Sequence, residues 1–153
     1  MEFGSIEREL RIDAAPEVVY EVISSPEHLR EWWPDHAELD PVPGAAGRII
    51  FGDPAAANAK IAPLTVLEAD RPRRFAFRWV YDEAPATATN SLLVTFDLVP
   101  SGDGTLLRFT ETGFRERGWE AAVLEEAYRD HVRGWDLFLP RLVRYAARLV
   151  ARP

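Results

Sequence analysis

Hydrophobic and polar positions along this chain switch between two periods, and the switches mark its elements. Residues 6–13 (IERELRID) alternate, with Ile6, Leu10 and Ile12 on one face and charges on the other, which predicts a strand. Asp13 as a cap, a proline in the first turn and early acids then open a helix in AAPEVVYEVISS. Its inner face is expected to carry Val18, Val19, Val22 and Ile23. A second helical turn, PEHLREWW, stops at Pro34. Residues 35–47 hold two prolines, two glycines and four acids or histidines, and read as a loop. Short strands are expected around Gly47–Gly52 and Lys60–Ala69.

Alternation is plainest in the middle of the chain. Phe75, Phe77, Trp79 and Tyr81 share one face, with Arg74, Ala76 and Arg78 on the other. Leu92, Val94, Phe96 and Leu98 repeat the pattern, PSGDGT makes a hairpin turn, and the returning strand aligns Leu107, Phe109 and Glu111. Strands with one wet and one apolar face predict an antiparallel sheet covered on one side only. The cover is the last segment, from about Trp119 to about Leu149. There Leu124, Tyr128, His131, Trp135, Phe138, Leu142, Tyr145 and Leu149 recur at alternating spacings of four and three, one stripe of a helix. Its ~31 residues would span roughly 46 Å. Pro140 lacks the donor for the Asp136 carbonyl, so a kink is expected there.

Composition narrows the function. The 153 residues suit one domain, over residues 6–150, with residues 1–5 (MEFGS) reading as a remnant of an expression tag. No apolar run approaches the ~20 residues of a membrane span, and no secretory signal is seen, so a cytoplasmic location is expected without membrane insertion. Absence of cysteine removes disulfides, thiolate nucleophiles and cysteine metal sites. The net charge of −7 falls entirely within residues 1–60, which hold 12 acids and five bases. No basic stripe tracks phosphates, so nucleic acid is not an expected partner.

The order and the motifs together carry a resemblance. APEVVYEVISSPEHLREWW, VLEADRPRRFAFRW, VTFDLVPSGDGTLLRFTETGF and GWDLFLPRL, spread over residues 6–145, resemble the START-like (SRPBCC) superfamily. Within it, the likeness is to the heat-shock-protein-90 ATPase activator homologue family. The resemblance implies an α+β helix-grip fold: a curved antiparallel sheet wrapped around a long C-terminal helix, with two short helices after the first strand. It also implies two alternatives to simple binding. One is a polyketide cyclase or aromatase-like enzyme; the other is a stress-related protein that interacts with the chaperone, although these 153 residues leave no room for the co-chaperones' docking domain.

Candidate chemistry centres on the space between sheet and last helix. Phe77, Trp79, Phe96, Phe109, Trp135 and Phe138 are expected to line it, with Trp32 and Trp33 near one end. These aromatics either fill the core or wall a cavity for a small apolar or aromatic molecule. Tyr128, His131 and Glu111 face the same space; they either orient a ligand or satisfy one another in the core. The pattern gives no supporting residues that would distinguish a catalytic base, so binding without chemistry is the leading expectation and no catalytic residue is assigned. His28, His36, Asp35 and Asp40 are metal-ligand types at a spacing that matches no metal motif, so neither metal nor cofactor is expected. Arg71, Arg73 and Arg74 are expected to cap or solvate a strand end. A homodimer is left open.

Overall fold

In the computed structural model, residues 4–53, 55–80, 91–114 and 120–150 are described. The chain opens with β1 (Ser5–Ile12), α1 (Pro16–Ser24) and α2 (Pro26–Trp32). Six strands follow: β2 (His36–Glu38), β3 (Ala46–Phe51), β4 (Lys60–Asp70), β5 (Arg74–Trp79), β6 (Leu92–Ser101) and β7 (Gly104–Thr112). The last element is α3 (Ala121–Val150). The seven strands form one curved antiparallel sheet in the order β1-β7-β6-β5-β4-β3-β2. From β2 to β7 each strand pairs with its successor; β1 alone crosses over, setting Ser5 opposite Thr112 and Ile12 opposite Thr105. This is the helix-grip arrangement that the motifs imply.

Several local expectations need correction. The 35–47 segment contains β2, which pairs Ala37 with Ile49 and is tied outside the ladder by Arg48 to Glu38. Asp13 does not cap α1: the N-cap is Ala15, with no side-chain bond, and Asp13 instead pairs with Arg11. Pro16 at the helix start lessens the need for a cap, because it has no amide donor to satisfy. Tyr20 joins Val19, Val22 and Ile23 in the core, while Val18 packs against it half-buried. In β4 the register slips between Val66 and Glu68, a bulge that turns Leu67 out to solvent. Tyr81 and Trp119 lie outside the described residues.

The hairpin reading holds. Ser101 closes against Gly104, and Gly102 takes a left-handed backbone (φ 59°) at the turn, where a side chain would be strained. Inward residues of β5, β6 and β7 are buried as the alternation requires, down to zero exposure for Phe75, Val94, Phe96, Leu107 and Phe109.

α3 continues on both sides of Pro140, although the proline removes a donor from the Asp136 carbonyl. Its fully covered line is His131, Trp135, Leu139, Leu142 and Ala146, at spacings of four, four, three and four. Leu124, Tyr128, Phe138, Tyr145 and Leu149 are only half-buried, so the helix rests on one edge of the predicted stripe. Polar ties help to fix it: Tyr128 donates to the Ser5 carbonyl (2.8 Å), Arg8 pairs with Asp136 (2.8 Å), and the Tyr145 hydroxyl meets His28 Nδ1 (2.7 Å). The first two join α3 to β1, and the third joins it to α2. At the sheet centre large side chains span the gap, with Trp135 on Phe109 (centroids 4.5 Å apart) and on Trp33 (5.0 Å).

Candidate functional site

Alternation along β7 sends Glu111 inward with Leu107 and Phe109, so a carboxyl group enters the apolar layer. It has no solvent exposure. Three ring nitrogens converge on it. Trp79, at the end of β5, donates from Nε1 to Oε2 at 2.7 Å, and Trp135 of α3 donates from Nε1 to Oε1 at 2.8 Å. His131, one helical turn before Trp135, places Nδ1 2.8 Å from Oε1. An indole N–H can only donate, so Glu111 is best satisfied as an acceptor-only carboxylate, and His131 Nδ1 is assigned as the third donor. An unpaired carboxylate here would cost several kcal/mol; three converging N–H groups offset that cost. Among the described residues, no buried side-chain nitrogen or oxygen lacks a partner.

The carboxylate therefore sets the orientation of three rings at once. His131 lies between Trp79 (5.5 Å between centroids) and Phe114 (5.3 Å, perpendicular). With Nδ1 turned to Glu111, the other edge of the imidazole points away from the carboxylate. This pairing fixes the tautomer as well as the ring plane.

Beside this network opens a cleft of about 510 Å³ between α3 and the β3–β4 side of the sheet. Trp33, Phe51, Trp79, Trp135 and Phe138 form its apolar walls, and His131 contributes to one of them. Gly134 and Leu137 of α3 complete the helix side, while Asn58, Lys60, Asp130 and Arg133 supply polar groups. Trp33 joins the cleft to the core, for its ring also meets Trp32, Phe77 and Trp79.

The residues expected at the site fall into four placements. Trp33, Trp79, His131, Trp135 and Phe138 line the cleft. Trp32, Phe77, Phe96 and Phe109 pack among themselves and against other core side chains instead, Trp32 donating to the Val22 carbonyl (3.0 Å) and Phe96 meeting Phe109 at 5.4 Å. Glu111 stands behind the wall. Tyr128 turns away to β1 and Phe114, so the expectation that it faces this space is corrected: its hydroxyl satisfies a strand carbonyl near the sheet edge.

Sequence reasoning missed Phe51, Asn58, Lys60, Asp130, Arg133, Gly134 and Leu137. Phe51 ends an apolar run and Gly134 interrupts a helical one, so both carried a signal; the polar four did not. Among the described residues no three His, Asp or Glu side chains gather as a metal site. His28 is engaged by Tyr145, and Asp35 accepts the Gly52 amide (2.6 Å). Arg71, Arg73 and Arg74 bind Glu21, Asp70 and the Glu68–Asp97 pair respectively, at the surface around β5.

Residues 13–147 match the family described as activator of Hsp90 ATPase homolog 1-like protein, most of the chain. The chain belongs to that family. Solved structures agree on the Hsp90-activator-like, START-like fold. Protein MLL2253 of Mesorhizobium loti superposes with a TM-score of 0.74 at 23% identity, covering 94% of this chain and 97% of that one. CalU16 of Micromonospora echinospora gives 0.65 at 24% identity over 99% and 83%. DynU16, a protein of the dynemicin biosynthetic locus, gives 0.71 at 20% identity, covering 93% of this chain and 46% of its own. The sequence matches no curated protein. Among the described residues of this family member, no helix is long and apolar enough to cross a membrane.

Proposed function

We propose that this protein binds a small, largely apolar or aromatic molecule in the cleft between α3 and the sheet. The observation that carries the reading is a 510 Å³ opening walled by five aromatic rings, a size and lining suited to small-molecule sites. A two-ring ligand burying roughly 200 Å² of apolar surface would gain about 5 kcal/mol before the cost of association is set against it. Pre-set walls limit the ordering cost, because Glu111 already holds Trp79 and Trp135 in place. The fold neighbour from a biosynthetic locus is consistent with small-molecule handling. A screen of aromatic compounds by thermal shift and intrinsic tryptophan fluorescence tests the reading. Hits should raise the melting temperature and alter emission from Trp33, Trp79 or Trp135. A broad aromatic set that does neither would sink the binding function.

One observation favours a second reading, acid–base catalysis in the same cleft. His131 is both part of the wall and hydrogen-bonded to a buried carboxylate, the arrangement that orients a proton-transferring imidazole. This reading requires a pH-dependent rate on a bound substrate that His131→Ala abolishes. A rate unchanged by that substitution leaves binding alone.

A further inference from the structure

Two features of the cleft remain unexplained by folding. The first is Gly134, the one glycine of α3. In a helix interior glycine costs roughly 1 kcal/mol relative to alanine. Packing does not demand it here: a Cβ built at this position would meet only Phe138 Cε2, at 3.9 Å, an ordinary contact. Its backbone lines the cleft between His131 and Phe138, so the volume that a methyl group would take belongs to the cleft itself. The second is Lys60, the single lysine of the chain. It lines the same cleft from the start of β4 and makes no ion pair with any described residue. Arg133, the other cation lining it, is occupied by Asp130 at 3.2 Å. Among the described residues, the cleft lining thus carries one positive charge without an ion-pair partner, in a chain of net charge −7.

Resting on the binding function above, we infer that the ligand is a flat aromatic anion, its ring laid on the Gly134 backbone between the tryptophan and phenylalanine walls and its acidic group turned to Lys60. Glycine gives the ring close approach to the helix, which a methyl would hold off. Lysine is suited to the charge because its flexible stem places a point charge at the cleft without a fixed fork geometry. A carboxylate, a sulfonate or an ionised phenol shares the required chemistry.

The test compares two fluorescent probes that share one ring system, anilinonaphthalene sulfonate and the uncharged phenylnaphthylamine. Both are titrated into the wild-type protein, Lys60→Gln and Gly134→Ala, with melting temperatures measured alongside. The sulfonate should bind the wild type about threefold to tenfold more tightly than the neutral probe, and Lys60→Gln should remove that advantage while leaving the neutral probe unchanged. Raised salt should erode the sulfonate's advantage alone. Gly134→Ala should weaken both probes about tenfold while the melting temperature holds or rises. Gain of stability with loss of binding separates a ligand contact from a structural role. Equal affinities insensitive to Lys60→Gln would overturn the anionic assignment, and unchanged binding by Gly134→Ala would overturn the ring position, with the binding function standing in both cases. Failure of both probes to bind the wild type, while other aromatic compounds raise its melting temperature, would overturn this inference alone; failure of the broad aromatic set would remove the binding function with it.

Discussion

Replacing Glu111 by glutamine changes almost no volume and so isolates the charge of the buried carboxylate. Glu111 accepts three N–H bonds on two oxygens, two at Oε1 and one at Oε2. Glutamine offers one carbonyl oxygen. If it takes the place of Oε1, it can still accept from Trp135 and His131, but its amide then presents N–H groups to the Trp79 donor 2.7 Å away. One buried donor is left unsatisfied, at about 1–3 kcal/mol, and the two surviving bonds lose their charge assistance, at several tenths to about 1 kcal/mol each. Relief from burying a charge offsets part of this. The net expectation is a loss of roughly 2–4 kcal/mol, which a domain of ordinary stability survives. For a chain of this size that is a fall of about 5–15 °C in melting temperature. Urea titration followed by far-ultraviolet circular dichroism should show a lower midpoint with an unchanged slope. Wild-type stability in Glu111→Gln would refute the reasoning, because it would mean that the three rings face a neutral carboxylic acid.

Trp33→Ala removes a ring that touches Trp32, Phe77, Trp79 and Trp135, and should cost about 3–5 kcal/mol by urea denaturation while widening the cleft. Thr105→Val deletes the hydroxyl that donates to the Ala14 carbonyl at 2.7 Å in a fully buried site, and should cost about 1–2 kcal/mol in the same assay. Burial pushes the Tyr20 phenol above its ordinary value, against the pull of the Arg71 guanidinium 5.4 Å from the ring. A raised folded-state value means that Tyr20 contributes stability fully at neutral pH and loses it as pH climbs past the usual phenol range near 10. Phenolate absorbance should therefore show a late-titrating tyrosine that is missing in Tyr20→Phe.

The fold was legible where one physical signal dominated. In β6 and β7 a buried face alternates with a wetter one, so every second residue announces its side, whereas in β5 Ala76, expected on the wet face, is buried as well. β2 carries no such pattern, because its three residues are exposed or half-buried and depend on pairing with β3 for their conformation. The site was legible only as a direction. Alternation identified Glu111 as an acid on an apolar face, and helical spacing placed His131 and Trp135 one turn apart. Neither period reports how far an inward side chain lies from the edge of the covered layer. Phe96 and Phe109 point the same way as Trp79, yet they sit beneath α3 and α2 while Trp79 reaches the cleft. That distinction depends on where the helix axis crosses the sheet, a tertiary quantity. Lys60 and Asn58 were invisible for a related reason: both are exposed, and nothing in an exposed polar residue beside a turn tells that it borders a cleft.

The pairing of β1 with β7 has a consequence for how the chain is made. Strands β2 to β7 form a meander whose neighbours emerge from the ribosome one after another, so their ladders can zip up as synthesis proceeds. β1 is synthesised ahead of the meander yet finds its partner only when residues 105–112 appear, about a hundred residues later. Until then its Ile6 and Ile12 have no sheet to enter, and α3, which binds β1 through Tyr128 and Asp136, does not yet exist. Loop closure over that distance sets a non-local step late in folding. The first strand of this domain is thus among the last of its elements to settle, and the appearance of β7, rather than of β1, completes the sheet.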